Sequence, residues 1–529
     1  MARYVNPNND AFQRTLNSKI YVDKTGMLEY TNDILHTNQA FVCNSRPRRF
    51  GKSVTADMLV AYYSKGCESK DLFESYKISK TKDFEKHLNQ YDVIRFDVST
   101  CIKSAKGIEH CVSYIENTII QELKEEYQSL SFQEDLSLFD VLAQINLKTG
   151  NHFVIIIDEW DILIRENNNK TIQKEYIQFL RSLFKGSDAS SYIALAYLTG
   201  ILPMVREQSQ SALNNFHEFT MLEPDNLSEY FGFTESEVKN LCTQYDMDFS
   251  EAKKWYDGYK VGNYEVYNPN SIVSSMERKV YRSYWSKTAA YKSIIPYINM
   301  NFDGLKETIL LLLSGNKVEI DVSTFDNTLD DFKNKDEVLT YLIHLGYLSY
   351  DESCSEVFIP NEEVRQELVK ACDESKWNDF MAFQLDSEEI LDATLNLDGK
   401  EVAKYLDQIH NIYTSNKYYN NEASLTGVIY LAYLSTLKKY LAPISEMPTG
   451  KGCADVVYLP KKQFAHKLPT LVIELKWDKT VDDAMNQIYE RKYVQALKGY
   501  SDSILLVAIN YNKTSKEHEC RIEEYKEVE

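Results

Sequence analysis

The sequence predicts an α/β protein built on a mostly parallel sheet, and three stretches carry that prediction. The first is the short apolar run Ala40-Phe41-Val42-Cys43, followed by Arg46-Pro47-Arg48-Arg49-Phe50-Gly51-Lys52-Ser53 and then by Val54, Met58, Leu59 and Tyr62 at helical spacing. The second is Phe153-Val154-Ile155-Ile156-Ile157, an unbroken apolar run that ends in Asp158-Glu159. The third, Tyr192 to Leu198, closes on Thr199-Gly200. Strand and helix patterns alternate from 39 to 222, with Val93 to Val98 as another strand, as expected of a parallel sheet covered on both faces.

Strand, tight loop and helix form the context of a phosphate-binding loop. A glycine at the turn lets the backbone approach phosphate oxygens, and a new helix offers unpaired N–H groups at its positive end. Lys52 would reach the β- and γ-phosphates, and the Ser53 hydroxyl would hold Mg2+. The full pattern G-x-x-x-x-G-K-[ST] places its first glycine at position 46, where this chain has Arg46. Asp158, at a strand end, would hold the metal through water, and Glu159 would orient or deprotonate the attacking water. Thr199 stands where a polar residue would sense the γ-phosphate. Each feature has a plainer reading, a strand-to-helix turn or a strand running into a polar loop. Together, in this order, they point to ATP or GTP.

Tyr21-Val22-Asp23-Lys24-Thr25, the Arg46–Ser53 run, Asp158-Glu159-Trp160-Asp161 and Thr199-Gly200 resemble the bacterial AAA-ATPase-like family. That family carries R-P-R-R-F-G-K-S in place of the full loop, so the resemblance accommodates Arg46. It implies that Arg46, Arg49, Gly51, Lys52, Ser53, Asp158 and Thr199 bind nucleotide and metal, with Glu159 catalytic. It also implies a C-terminal PD-(D/E)XK nuclease-like domain. Asp23 and Lys24 would touch nucleotide or, more simply, form a surface ion pair. Arg181, in the helical stretch Ile172 to Phe184, is either an arginine finger or a solvated helical residue.

At 529 residues the chain is long enough for three or four domains, and 43% hydrophobic and 12% aromatic residues suffice for real cores. Net charge is −20, which excludes a surface that binds nucleic acid everywhere but leaves room for a local basic channel. Nine cysteines without a C-x-x-C pair argue against a zinc module and fit a reducing compartment. The first residues lack an apolar signal core, and the run Ile309 to Leu313 is too short to span a bilayer. The expectation is a soluble, cytoplasmic protein with no membrane partner.

The expected domains are 1–222, the nucleotide-binding part; 223–375, a helical and winged-helix-like middle; and 376–529. From 223 to 290 the chain reads helical, punctuated by Trp255-Tyr256-Asp257-Gly258-Tyr259 and Val266-Tyr267-Asn268-Pro269, which suggest packing by aromatics. Val338, Leu339, Leu342 and Ile343 share a helical face, and Tyr347 to Tyr350 and Val357 to Ile359 read as a following hairpin. That helix-and-hairpin pattern resembles a winged helix. The acidic Glu362-Glu363 favours a transmitting or packing role over groove binding.

In the last part, a helix over 420–438 sets Glu422 beside Leu425, Ile429, Ala432 and Tyr433, and an acid on an apolar face needs a partner. Asp455 lies in Gly452-Cys453-Ala454-Asp455-Val456-Val457-Tyr458, and Leu471-Val472-Ile473-Glu474-Leu475-Lys476 forms the next strand. Period-two alternation puts Glu474 and Lys476 on one face. Paired in a hairpin, Asp455 and Glu474 would supply hard oxygen ligands to Mg2+ or, alternatively, Mn2+, with Lys476 beside the attacking water. Acids and lysines alternate on many exposed strands, so the pattern alone is weak. It resembles the PD-(D/E)XK core, which implies Glu422 as the preceding helix acid and Gln487 and Tyr493 as trailing polar residues. Lys461, Lys462, Lys467, Arg491, Lys492 and Lys498 would attract a phosphate backbone. The family has arginine where this chain has Cys453, a departure that puts DNA contact in doubt. The expected protein binds ATP and, through its nuclease-like domain, cuts DNA in a defence or mobile-element setting. The alternative is a regulatory or scaffold protein that binds without cutting, and self-association stays open.

Overall fold

The structure is a computed structural model and describes residues 3–166, 169–186, 189–204, 206–207, 210–211, 213–285, 290–300, 302, 304–325, 332–374, 378–413, 422–441, 443–449, 452–491, 497 and 499–525. The chain divides into two compact units, Met1–Tyr284 with Asp321–Ser355, and Trp285–Ile320 with Glu356–Glu529.

The first unit is organised by five parallel strands, β1 (Phe41–Ser45), β2 (Asp92–Asp97), β3 (Phe153–Asp158), β4 (Ile193–Gly200) and β5 (His217–Phe219), in the order β2-β3-β4-β1-β5. Alternate residues face opposite cores, as the strand period requires. Phe41, Cys43, Ile155, Ile157, Ala196 and Leu198 join one cluster with Ile115, Ile119, Val141 and Leu180. Val42, Val154, Ile156, Leu195 and Tyr197 join the other, with Ala56, Leu59 and Val60 of α1 (Lys52–Tyr63) and Phe12, Met27 and Leu28 from the N-terminal helices. Burial on both faces explains why β3 and β4 read as continuous apolar runs. The short helix α2 (Ile162–Arg165) follows β3, and α3 (Lys170–Phe184) carries Arg181 half-buried on its last turn.

The position of β4 matters most. It lies between β1 and β3, and the register sets Thr199 beside Asn44 on one side and Asp158 on the other. The ends of the three strands therefore meet the loop that opens α1.

The helical reading of 223–290 needs correction. Phe233–Thr234, Tyr259–Val261 and Tyr264–Tyr267 form a three-stranded antiparallel sheet, with helices Glu235–Gln244, Phe249–Tyr256 and Pro269–Arg278 around it. Gly262, at φ 59°, turns the hairpin, and alternating Tyr and Val side chains suit strands better than helix. The helix expected around Val338 runs Lys335–Leu345, capped by Asn334 and closed by Gly346 at φ 84°.

In the second unit, β6 (Ile444–Thr449), β7 (Gly452–Tyr458), β8 (Thr470–Trp477), β9 (Ile504–Asn512) and β10 (Glu517–Glu524) form one sheet in chain order. Only β8 and β9 run parallel, joined by a crossover through α6 (Val481–Glu490), with α4 (Gly399–Tyr413) and α5 (Glu422–Ala432) preceding the sheet. Ala484, Met485 and Ile488 of α6 pack with Val472, Leu506 and Ala508. The helix expected over 420–438 is thus α5 plus a 3-10 turn, Leu434–Lys438.

Candidate nucleotide and nuclease sites

The loop between β1 and α1 takes left-handed backbone at Arg49, φ 71°, and at Gly51, φ 93°. A Cβ at Gly51 would meet nothing within 4 Å, so the glycine answers a backbone demand rather than a steric one. Phe50 anchors the turn. Its buried ring lies edge-on to Tyr259 with centroids 5.2 Å apart, and its carbonyl accepts the Gly232 N–H at 3.1 Å. Tyr259 in turn donates its hydroxyl to the Gly346 carbonyl at 2.8 Å. The Trp255–Tyr259 motif therefore has a physical role, as the wall against which the loop is set.

The basic residues of the loop have different fates. Lys52, 5% exposed, donates to the carbonyls of Arg46 and Pro47, each at 3.0 Å, and curls over its own turn. Burial lowers its pKa, and Glu159, Asp158 and Asp161 pull the other way. Arg46 is fully buried; its Nη1 donates to the carbonyls of Ser45 at 2.9 Å, Phe219 at 2.9 Å and Thr220 at 2.8 Å. Its guanidinium lies 5.5 Å from the Phe231 ring centroid, and burial brings its pKa down to about 10. Arg49 donates to the Tyr284 carbonyl at 3.1 Å. Arg48 pairs at the surface with Glu166.

Asp158 is 1% exposed; its Oδ1 accepts the Glu159 N–H at 3.0 Å. Its Oδ2 has no hydrogen-bond partner among the described residues, and Arg95 Nη2 stands 3.9 Å away. Burial pushes its pKa up to about 6, against the pull of the neighbouring Ser53 hydroxyl and Arg95. The Thr199 hydroxyl is likewise buried without a partner among the described residues. Two buried oxygens without partners are costly on their own; Asp158 stands beside Ser53 and Lys52, and Thr199 lies beside Asp158 in the sheet. Hard oxygen donors are what Mg2+ and its waters take. The site fits the metal and phosphate that the sequence implies.

Asp161 and Arg165 are polar residues for which the sequence reading gave no role. Asp161 Oδ2 accepts N–H groups from Ile201 at 3.1 Å and Leu202 at 3.0 Å and Nη1 of Arg165 at 2.8 Å. A Cβ at Gly200 would sit 2.6 Å from Asp161 Oδ1 and 2.8 Å from the Trp160 ring, so only glycine permits this approach. The i,i+4 spacing of Asp161 and Arg165 was the available signal. Arg95, a charge between the apolar Ile94 and Phe96 in the middle of a strand, was another. Lys24 forms a largely buried pair with Glu237 at 2.7 Å and also donates to the Glu229 carbonyl, while Asp23 accepts from Thr25 and Lys77.

In the second unit, β7 and β8 pair Val456 with Ile473, which sets Asp455 next to Glu474. Asp455 Oδ2 accepts the Leu475 N–H at 2.7 Å. Glu474 is fully buried, and its Oε1 accepts Lys476 Nζ at 2.9 Å and the Gln487 amide of α6. Lys476 also donates to the Leu475 carbonyl at 3.0 Å. Asp455, Glu474, Lys476 and Gln487 are thus brought together. Two carboxylates and one carbonyl are hard donors suited to Mg2+ or Mn2+. Among the described residues no group of three or more His, Cys, Asp or Glu side chains gathers as a metal set. Glu422 begins α5, but its side chain lies outside the described residues, as do Tyr493, Lys492 and Lys498. Lys461 pairs with the buried Glu362 at 3.0 Å, whereas Lys462, Lys467 and Arg491 are exposed. Cys453 is exposed on β7. No described helix is long and apolar enough to cross a membrane.

A parallel sheet of order 2-3-4-1-5, with Gly-Lys-Ser after β1 and Asp-Glu ending β3, defines a P-loop nucleotide-binding domain. Residues 10–209 match the family described as Predicted AAA-ATPase, and residues 420–520 match the PD-(D/E)XK nuclease superfamily. The chain joins an AAA-ATPase-like domain to a PD-(D/E)XK nuclease-like domain. An uncharacterized protein in the vnfD 5′ region of Azotobacter chroococcum mcd 1 is 26% identical over 277 residues, 51% of this chain and 50% of that protein. The chain therefore matches half the length of this curated relative. The Aeropyrum pernix ORC2 protein, solved in ADPNP–ADP complexes, superposes with a TM-score of 0.31 at 11% identity, over 68% of this chain and 98% of that one.

Proposed function

We propose that this chain hydrolyses ATP in its first domain and, under control of that reaction, cuts DNA with its second. The observation that carries the ATP reading is the buried Asp158 carboxylate, which lies beside the Ser53 hydroxyl and next to Thr199 in the sheet. Lys52 exchanges the carbonyls of Arg46 and Pro47 for phosphate oxygens, and Gly51 lets the backbone N–H groups approach. Ser53 and Asp158 hold Mg2+. Glu159 orients the attacking water and takes its proton, and Thr199 senses the γ-phosphate. Arg46 and Arg49 support the loop through the carbonyls they bind.

In the second domain Asp455 and Glu474, with the Leu475 carbonyl, hold Mg2+ or Mn2+. Lys476 orients the water, Gln487 keeps Glu474 in place, and Glu422 is the further acid. The metal, when bound, polarises the phosphodiester and stabilises the charge that builds on its oxygens. Lys462, Lys467 and Arg491 attract the backbone. Exposed Cys453 favours a second reading, a nucleotide-dependent scaffold whose nuclease-like domain binds without cutting. We place this activity in the cytoplasm and in a defence or mobile-element setting.

The test is cleavage of supercoiled plasmid with Mg2+ or Mn2+, with and without ATP, beside Lys476→Ala. Metal-dependent cutting lost in the variant supports the nuclease, and a change in cutting in Lys52→Ala supports control by ATP. DNA retention without cutting in any lane moves the reading to the scaffold.

A further inference from the structure

Arg165 ends α2, six residues beyond Glu159, and its side chain is 6% exposed. Three acids hold it. Nη2 meets Glu159 Oε2 at 3.2 Å and Glu166 Oε1 at 3.3 Å, and Nη1 meets Asp161 Oδ2 at 2.8 Å. These acids outweigh the lowering effect of burial and keep the guanidinium above its ordinary pKa, so it stays charged.

Each acid leads to a different part of the nucleotide site. Glu166 Oε1 also accepts Arg48 Nη2 at 3.2 Å, and Arg48 belongs to the loop before Gly51. Asp161 holds the N–H groups of Ile201 and Leu202, directly after Thr199-Gly200. Glu159 has left-handed backbone, φ 52°, a conformation that costs a non-glycine residue about 1 kcal/mol and needs outside support. Its side chain is 24% exposed, and Arg165 grips one oxygen, Oε2. A planar guanidinium with donors at fixed angles can serve several carboxylates at once, which an ammonium cannot reproduce.

We infer that Arg165 is a positioning residue for hydrolysis: it fixes the Glu159 carboxylate for water activation and ties that orientation to the Arg48 loop and to the end of β4. The inference rests on the reading of Glu159 as the water-activating group. It goes beyond that reading because nothing in the P-loop pattern assigns a residue to hold the base.

The experiment uses the full chain and compares wild type, Glu159→Gln, Arg165→Gln, Arg165→Lys, Glu166→Gln and the double variant Glu159→Gln with Arg165→Gln. ATP turnover gives kcat and KM, and a fluorescent ATP analogue gives Kd. Arg165→Gln should lower kcat about tenfold to a hundredfold, the loss expected when a reacting group is misplaced by about 1 Å, with Kd changed less than about twofold. Arg165→Lys should recover part of the loss. Glu166→Gln, at an exposed position that does not threaten folding, should lower kcat by about threefold to tenfold. The double variant should turn over no more slowly than Glu159→Gln alone, since Arg165 would have no base left to position.

A further drop in the double variant would overturn the inference, as would a weakened Kd with unchanged kcat or an Arg165→Gln enzyme that matches or exceeds wild type. If Arg165→Gln fails to fold, Arg165→Lys and Glu166→Gln decide, and wild-type kcat in both overturns it. The reading beneath it fails separately: wild-type turnover that Glu159→Gln leaves intact removes Glu159 as the base, and the positioning role falls with it.

Discussion

Replacing Asp158 with asparagine should make the ligand-free protein more stable while it stops hydrolysis. The carboxyl is 1% exposed, and burial moves its pKa from the ordinary 3.8 to about 6. A pKa raised on folding means that the ionised form is penalised in the native state. At 1.36 kcal/mol for each tenfold change in proton affinity, the penalty is about 3 kcal/mol at pH 7 and above. It shrinks as pH falls through about 6 and is gone below 3.8, where the group is protonated in both states. Asparagine never ionises, and its side-chain oxygen can keep the bond from the Glu159 N–H that Oδ1 now accepts.

Urea unfolding at several pH values measures the effect. At pH 7.5 without nucleotide, Asp158→Asn should gain up to about 3 kcal/mol, and the gain should fade toward pH 4. Mg-ATP at a thousandfold excess over Kd should reverse the order, because it stabilises the protein that binds it by about 4.1 kcal/mol. A variant no more stable than wild type at pH 7.5 would refute the argument, because Asp158 would then carry no burial penalty. A gain that persists unchanged at pH 4 would refute it too, since its origin would not be ionisation.

Other substitutions test the remaining parts. Phe50→Ala removes the ring that holds the loop against Tyr259, and emptying so buried a site should cost about 3–5 kcal/mol and raise KM for ATP; unfolding and steady-state kinetics check both. Gly200→Ala drives a methyl into Asp161 and Trp160, so the clamp on Ile201 and Leu202 should open, with a loss of about 1–3 kcal/mol read by thermal unfolding. Glu474→Gln should abolish metal-dependent plasmid cutting while ATP turnover stays within about twofold of wild type, because it changes only the second site.

The strands Phe153–Asp158 and Ile193–Gly200 were legible because both faces are buried and their apolar runs are unbroken, whereas His217–Phe219, short and partly exposed, was not. The spacing of Glu474 and Lys476 was legible for a similar reason, since period two fixes a shared face. The hairpin of Tyr259–Val261 and Tyr264–Tyr267 was not. Its strands are short, lie between real helices and are specified by the turn at Gly262 rather than by a long alternation. The partners of Lys24 were hidden as well, because Glu237 lies more than two hundred residues away in the chain. Local patterns can place a charge on a face, but they cannot name the acid that a distant helix brings to it.

Arg46 shows why a missing glycine need not be a missing site. A glycine is required where backbone must turn left-handed or approach closely, and here those demands fall on Arg49 and Gly51. Arg46 is not among the left-handed residues, and its N–H bonds the Gly200 carbonyl at 3.1 Å in continuation of the sheet. Its guanidinium donates to the carbonyls of Phe219 and Thr220 as β5 ends. A glycine would remove both bonds and free the start of the loop. The arginine fixes the start of the loop to two strands, Phe50 fixes its middle to the hairpin, and Gly51 keeps the one point of freedom next to Lys52.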